Sequence, residues 1–337
     1  MPVFLLGAGF NYDAKQAAGK IIGHSAYGAY EMKCRYPLVT DLLGPCFGKD
    51  NLREGETIEE LFAAAIQERN YKPLEALSDA LMHADSYIAR QLSSADANPD
   101  NCYARFFERI RGCHFLTFNY DSLPEILLFQ RGDWYPHDGY GVAVEVKISS
   151  RISNEYRSKK SKSLVLHLHG SFCIYPNSFD LVTRPGDITQ WIVEKSEPSY
   201  IFDPHSITHR FSPYERMPPE PTGYEYVAHR VIAPVPDKAE GLQKVFIQAM
   251  HTRAREILRS TNEIIAIGYR FNPLDHVSYE PLLSGLSHSK RARVVLVCPD
   301  AELVRDQLSV TYSHIEWIAV PTTFKRWVDA GFPEAGS

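Results

Sequence analysis

Cysteine is sparse in this sequence, and it is scattered. The six cysteines stand at 34, 46, 102, 113, 173 and 298, and no two of them form a CxxC pair. That spacing argues against a structural zinc knuckle and against a dense disulfide framework. Cys113, Cys173 and Cys298 fall in apolar, strand-like runs and read as small core residues. Long apolar runs are missing too: none approaches the roughly 18 residues that a membrane span needs. The N-terminal stretch Met1-Pro-Val-Phe-Leu-Leu-Gly7 has no basic region and no long apolar segment, so it does not read as a signal peptide. A reducing cytoplasm is the expected compartment. Basic charge is not in excess, with Lys plus Arg at 36, Asp plus Glu at 41 and a net charge of -5. Such a chain is not built as a general nucleic-acid binder, and its basic runs at 157–162 and 288–293 read as solvated loop charge. Internal repeats and low-complexity tracts are absent.

What is present is enough for a large core: 337 residues, 44% apolar and 23% charged, as in a soluble globular protein. Short apolar runs at 3–6, 113–118, 163–169, 263–267, 293–298 and 315–320 read as buried strands. Most end in a polar or glycine-containing turn, and most lead into a helical pattern. Helices are expected at 13–19, after a cap near Thr40, and across 57–111, where Thr57-Ile-Glu-Glu60 fits a capping box. Residues 241–260 form an amphipathic helix and 301–308 another. This alternation predicts an α/β fold: a Rossmann-like parallel sheet with helices on both faces. The expected organisation is a single domain over 1–337. Its core comes from 1–48, 113–132, 163–172 and 240–337, with a helical insert at 49–112. A second insert or lid, rich in proline and read as irregular, covers 173–239.

In such sheets ligands bind beyond the carboxyl ends of the strands, so the turns at Gly7, Asn119, Gly170, Gly268 and Asp300 should gather at one edge. Gly7-Ala8-Gly9 suits either a phosphate-cradling turn or a plain tight turn; it is not a full GxGxxG, because position 12 is Tyr. Asp121 or Ser122 can cap the helix that starts near Leu123, but capping leaves Asn119 unexplained. His169, followed by Gly170, can serve as a base; His167, on the same face by alternation, competes for that role. Asp275-His276 lacks any HxxxH or HxxE spacing, and no metal site is read there.

Taken in order, these blocks resemble the sirtuin (silent information regulator type) family in its bacterial sirtuin-like branch. They are Gly7-Ala8-Gly9-Phe10-Asn11, Thr117-Phe118-Asn119-Tyr120-Asp121, Leu168-His169-Gly170-Ser171, the 268–275 block and the strand ending at Asp300. The branch without the paired CxxC zinc module is similar to NAD-hydrolysing effectors of bacterial antiphage defence. The resemblance implies that NAD is bound as substrate, that no zinc is needed and that Asn119 and His169 are catalytic. It further implies that Gly7, Ala8, Gly9 and Asn11 hold the pyrophosphate and that Gly268 and Tyr269 border it. Asp121 would bind the carboxamide or balance the cation, and Asp300 would meet the adenosine ribose. Asn11 and Arg270 depart from the family pattern, which has Ser at both places. Implied partners are copies of the chain itself in a homo-oligomer and a separate protein regulator; no membrane is expected. The alternatives are a non-catalytic NAD or nucleotide sensor and a DNA-associated subunit of a defence complex. Protein deacylation ranks last.

Overall fold

The computed structural model describes residues 1–12, 20–25, 28–33, 39–70, 72–74, 76–77, 80–81, 102–135, 137–142, 145–146, 159–171, 174–176, 179–183, 190–194, 200–202, 231–243, 245–286 and 291–332. Six strands build the main sheet: β1 (Val3–Leu6), β2 (His114–Thr117), β3 (Val165–His167), β4 (Glu263–Ile267), β5 (Arg293–Val297) and β6 (Glu316–Val320). They lie in the order β6-β5-β4-β1-β2-β3, and every neighbouring pair is parallel. This is the doubly wound order of a Rossmann-like sheet, and the direction of winding reverses beside β1. All four residues of β1 are buried, as a central parallel strand covered on both faces requires.

Helices that accompany the sheet include α1 (Ala8–Tyr12), α2 (Val39–Phe47), α3 (Ile58–Gln67), α4 (Cys102–Arg109), α5 (Leu123–Gln130), α6 (Ala239–Leu242), α7 (Val245–Leu258), α8 (His276–Leu286), α9 (Ala301–Thr311) and α10 (Phe324–Asp329). One layer contains α4 packed on α5 and α10; another contains α7 packed on α8 and β3. The first layer is aromatic. Phe106 of α4 meets Phe4 of β1 edge-on, and Phe10 of α1 lies 4.7 Å from Phe324 of α10. The Tyr103 hydroxyl donates to the Phe10 carbonyl at 2.6 Å, which fixes α1 to α4. The turn after β1 is thus anchored to the aromatic layer through Phe10.

The capping box of α3 is formed: Thr57 Oγ1 accepts from the Glu60 N–H, and Glu60 accepts from the Thr57 N–H. Two expectations need adjustment. The first helix begins at Ala8, directly after Gly7, whereas 13–19 lies outside the described residues, as do 36–38 and most of the expected helix through Tyr87. The described parts of 173–239 are not irregular throughout. Ile174–Pro176 pairs with Tyr200–Phe202, which also pairs with Glu145–Val146, and Phe179–Thr183 pairs with Gln190–Glu194. Residues 203–230, where the proline density is highest, lie outside the described residues.

Candidate active site

Because the six strands run the same way, the turns that follow them emerge at one edge. Five consecutive strands carry the expected residues: Asp300 after β5, Gly268 after β4, Gly7 after β1, Asn119 after β2 and His169 after β3. The sheet therefore gathers residues that lie far apart in the chain.

The glycines at the switch point pack against one another. The Gly7 N–H donates to Ile267 O and the Gly9 N–H to Gly268 O, both at 3.0 Å, and the Phe10 N–H donates to Gly7 O at 2.9 Å. A Cβ on Gly9 would stand 2.6 Å from Gly268 Cα, and a Cβ on Gly7 would stand 2.6 Å from Gly268 O. Closeness of two turns, each made of backbone, thus explains all three glycines. The Gly7 and Gly9 amides, expected at the pyrophosphate, are engaged inside the protein, and so is the Phe10 amide beside them. Ala8 is the exposed residue of this turn.

Asn11 and Asp121 form a buried pair. Asn11 Nδ2 donates to Asp121 Oδ2 at 2.5 Å, and Asp121 Oδ1 accepts from the Leu123 N–H at 3.1 Å. Asp121 thereby caps α5, a job that the Ser122 side chain does not do. Only 3% of Asp121 is exposed. Burial pushes its carboxyl up to about 6, Glu125 pushes the same way, and the Leu123 N–H, His167 and Asn11 pull it back. Each oxygen of Asp121 accepts one of these bonds, and Asn11 thereby ties α1 to the turn that opens α5. Asn11, unexplained in the sequence, is the partner of Asp121.

Asn119 is half-buried. Its N–H donates to Thr117 Oγ1 at 3.0 Å, and its carbonyl accepts from His167 Nδ1 at 3.1 Å. Its carboxamide makes no hydrogen bond among the described residues.

His169 and His167 part company. His167 turns to Glu125 and lies outside the cluster around His169. His169 Nε2 is hydrogen-bonded to Ser278 Oγ at 3.1 Å and lies 3.9 Å from Asp275 Oδ1. The Phe118 ring meets its imidazole edge-on at 4.8 Å. Asp275 is paired with Lys238 Nζ at 2.8 Å and accepts from the Tyr269 hydroxyl at 3.3 Å. Burial first, and then the Lys238 and His251 charges, hold His169 well below the usual imidazole range, so the ring is neutral at pH 7. A strap over 231–238 closes this side: the Ile232 N–H donates to His169 O, and Tyr120 donates to Ile232 O, both at 2.7 Å.

Tyr269 is buried and stacks on Phe118 at 4.6 Å, which makes it part of the wall. Asp300 forms an exposed ion pair with Arg270 at 2.6 Å, so the residue that departs from the family pattern engages the acid expected at the adenosine ribose. Sequence reasoning missed Glu125, Lys238 and Ser278. Glu125 looked like an ordinary acid in a helix first turn, and Lys238 lay in the proline-rich segment. Ser278 follows Asp275 by one helical turn, a signal that spacing alone could have given. Among the described residues, no group of three or more His, Cys, Asp or Glu could hold a metal ion, and no helix is long and apolar enough to cross a membrane.

No protein-family model matches this chain, and no curated protein matches it. Among solved structures it is similar to a point mutant of a Sir2 homologue in complex with ADP-ribose. Identity is 13% over 97% of this chain and 88% of that one, with a TM-score of 0.36. It is also similar to a Sir2 homologue in complex with NAD, with 13% identity over 98% of this chain and 90% of that one and a TM-score of 0.34. The strand order itself carries the fold assignment.

Proposed function

We propose that this chain hydrolyses NAD+ to nicotinamide and ADP-ribose, as a regulated effector of bacterial antiphage defence. The observation that carries the chemistry is the pairing of two groups on neighbouring strand ends: the carboxamide of Asn119 after β2, which makes no hydrogen bond among the described residues, and the neutral imidazole of His169 after β3. The defence role rests on the order of the sequence blocks and their resemblance to the zinc-less sirtuin-like branch.

The bond that breaks joins nicotinamide N1 to the ribose C1′. Its electron pair goes to the ring nitrogen, so the cationic ring departs as neutral nicotinamide and needs no proton. The ribose carbon develops oxocarbenium character, as in glycoside hydrolysis. Asn119 orients the ribose and the attacking water by hydrogen bonding. A water oxygen bonds to C1′, and its proton passes to His169 and then to solvent. Phe118 and Tyr269 wall the site, and Asp121 and Asn11 brace the turn that opens α5. Contact with the dinucleotide at the switch point falls to Ala8, the exposed residue of that turn.

A second reading, a nucleotide sensor without turnover, is favoured by one observation: Arg270 already holds Asp300. Assembly into homo-oligomers and control by a separate protein are part of the first reading. Incubating the purified protein with NAD+ over a range of protein concentrations, with and without candidate activators, tests both. The expected result is equimolar release of nicotinamide and ADP-ribose. Tight NAD+ binding with no release under any condition would move the assignment to the sensor.

A further inference from the structure

One buried set of ionisable groups has no part in the reaction above. His167 of β3 lies between two acceptors. Its Nδ1–H donates to the Asn119 carbonyl at 3.1 Å, and its Nε2 meets Glu125 Oε1 of α5 at 2.5 Å. The Tyr140 hydroxyl donates to the same carboxylate oxygen at 3.2 Å. The His167 and Glu125 side chains are fully buried. A carbonyl can only accept, so the proton on Nδ1 is fixed whatever the charge state. At the other end of the ring, Nε2 is held by Glu125 Oε1, an oxygen that also accepts from the phenol of Tyr140. Burial alone would pull His167 down; the Glu125 carboxylate, the two hydrogen bonds and Asp121 outweigh it and hold the ring above its ordinary value.

Burying an ion pair is costly, and a well-packed apolar pair of similar volume is often as stable. The feature that an apolar pair could not reproduce is the donor to Asn119 O. That carbonyl and the Asn119 N–H are the two main-chain handles that fix the residue, the N–H being held by Thr117 Oγ1. We infer that Glu125 and His167 are positioning residues. Glu125 orients His167, His167 clamps the Asn119 peptide, and the Asn119 carboxamide is held at a set angle toward the substrate. The same strand thus supplies the clamp for one catalytic residue, at His167, and leads directly into the other catalytic residue, at His169. This rests on the proposed NAD+ cleavage for its consequence but on geometry alone for the clamp.

Two substitutions separate the two ends of the imidazole. The amide of His167→Asn falls near the site of Nδ1 and can still donate to Asn119 O. The amide of His167→Gln falls near Nε2 and can meet Glu125 but not Asn119 O. Each variant is read in two ways: by the carbonyl ¹³C resonance of the Asn119–Tyr120 peptide, and by kcat and KM for NAD+ cleavage. In His167→Gln the resonance is expected to move, and kcat to fall about tenfold or more with KM within about twofold. In His167→Asn the resonance stays near the wild-type position and most of kcat returns. Equal losses of kcat in the two variants, or an unmoved resonance in His167→Gln, would overturn the inference. Should the His167 variants fail to fold, Glu125→Gln keeps the packing and is expected to shift the same resonance; an unmoved resonance there is equally decisive. The resonance decides the clamp even if wild-type protein proves not to cleave NAD+, in which case only the reading under "Proposed function" is lost.

Discussion

Replacing Asn119 by alanine is expected to lower kcat/KM for NAD+ cleavage by about 10²–10⁴, the range typical of losing one positioned hydrogen-bonding or acid–base group. The loss should appear without a comparable loss of stability. The Asn119 carboxamide makes no hydrogen bond among the described residues, and the contacts that hold the residue are main-chain ones that alanine keeps. His169→Ala should lose turnover to a similar extent and some stability as well, because its ring packs on Phe118 and is hydrogen-bonded to Ser278. Nicotinamide release and thermal melting on the same preparations separate the two effects. Full activity in both variants would remove these residues from the chemistry.

Gly268→Ala is expected to be the most damaging small substitution in the fold. A Cβ there would lie 2.2 Å from Phe10 N and 2.3 Å from Gly9 C, and both neighbours are backbone. The residue also sits at φ +62°, in the left-handed region that favours glycine. Left-handed strain of about 1–2 kcal/mol adds to about 1–3 kcal/mol for overpacking, so a loss of about 3 kcal/mol is expected. Neither turn can yield alone, since Gly7 and Gly9 are bonded to Ile267 and Gly268. Denaturant unfolding checks this; a change below about 1 kcal/mol would mean that the two turns separate easily.

The strands were legible because a parallel sheet buried on both faces writes continuous apolar runs, such as those at 3–6 and 294–297. Their common edge was legible because each run stops at a turn. The purpose of the glycines was not: a glycine that admits a ligand and one that admits another turn look alike in sequence, and Gly7, Gly9 and Gly268 prove to admit each other. Asp121 was read toward the substrate because the sequence could not show Asn11 beneath it, 110 residues away. Glu125 and His167 are 42 residues apart, and a helix first turn gives no sign that one of its acids is buried. Asn119, whose identity no local capping rule explained, has a carboxamide that makes no hydrogen bond among the described residues.

The strand order also bears on how the molecule comes to exist. β4, β5 and β6 follow one another in the chain, with α8 between the first two and α9 between the last two, so that side of the sheet closes through connections far shorter than those that bring β1 to its partners. β1 pairs Phe4 with Phe115 on one side and with Ile265 on the other, and both partners lie far along the chain. Loop closure makes such pairings late. The 263–320 half is therefore expected to assemble first, with β1 inserted afterwards as the strand that joins it to β2 and β3. Pulse-labelled hydrogen exchange would show the Ile264–Ile267 amides protected before those of Phe4–Leu6; the reverse order would refute it. A chain caught before that insertion holds Asn119 and His169 on one fragment and Gly268 on another. The capacity to cleave a dinucleotide would then be the last property the protein acquires as it folds.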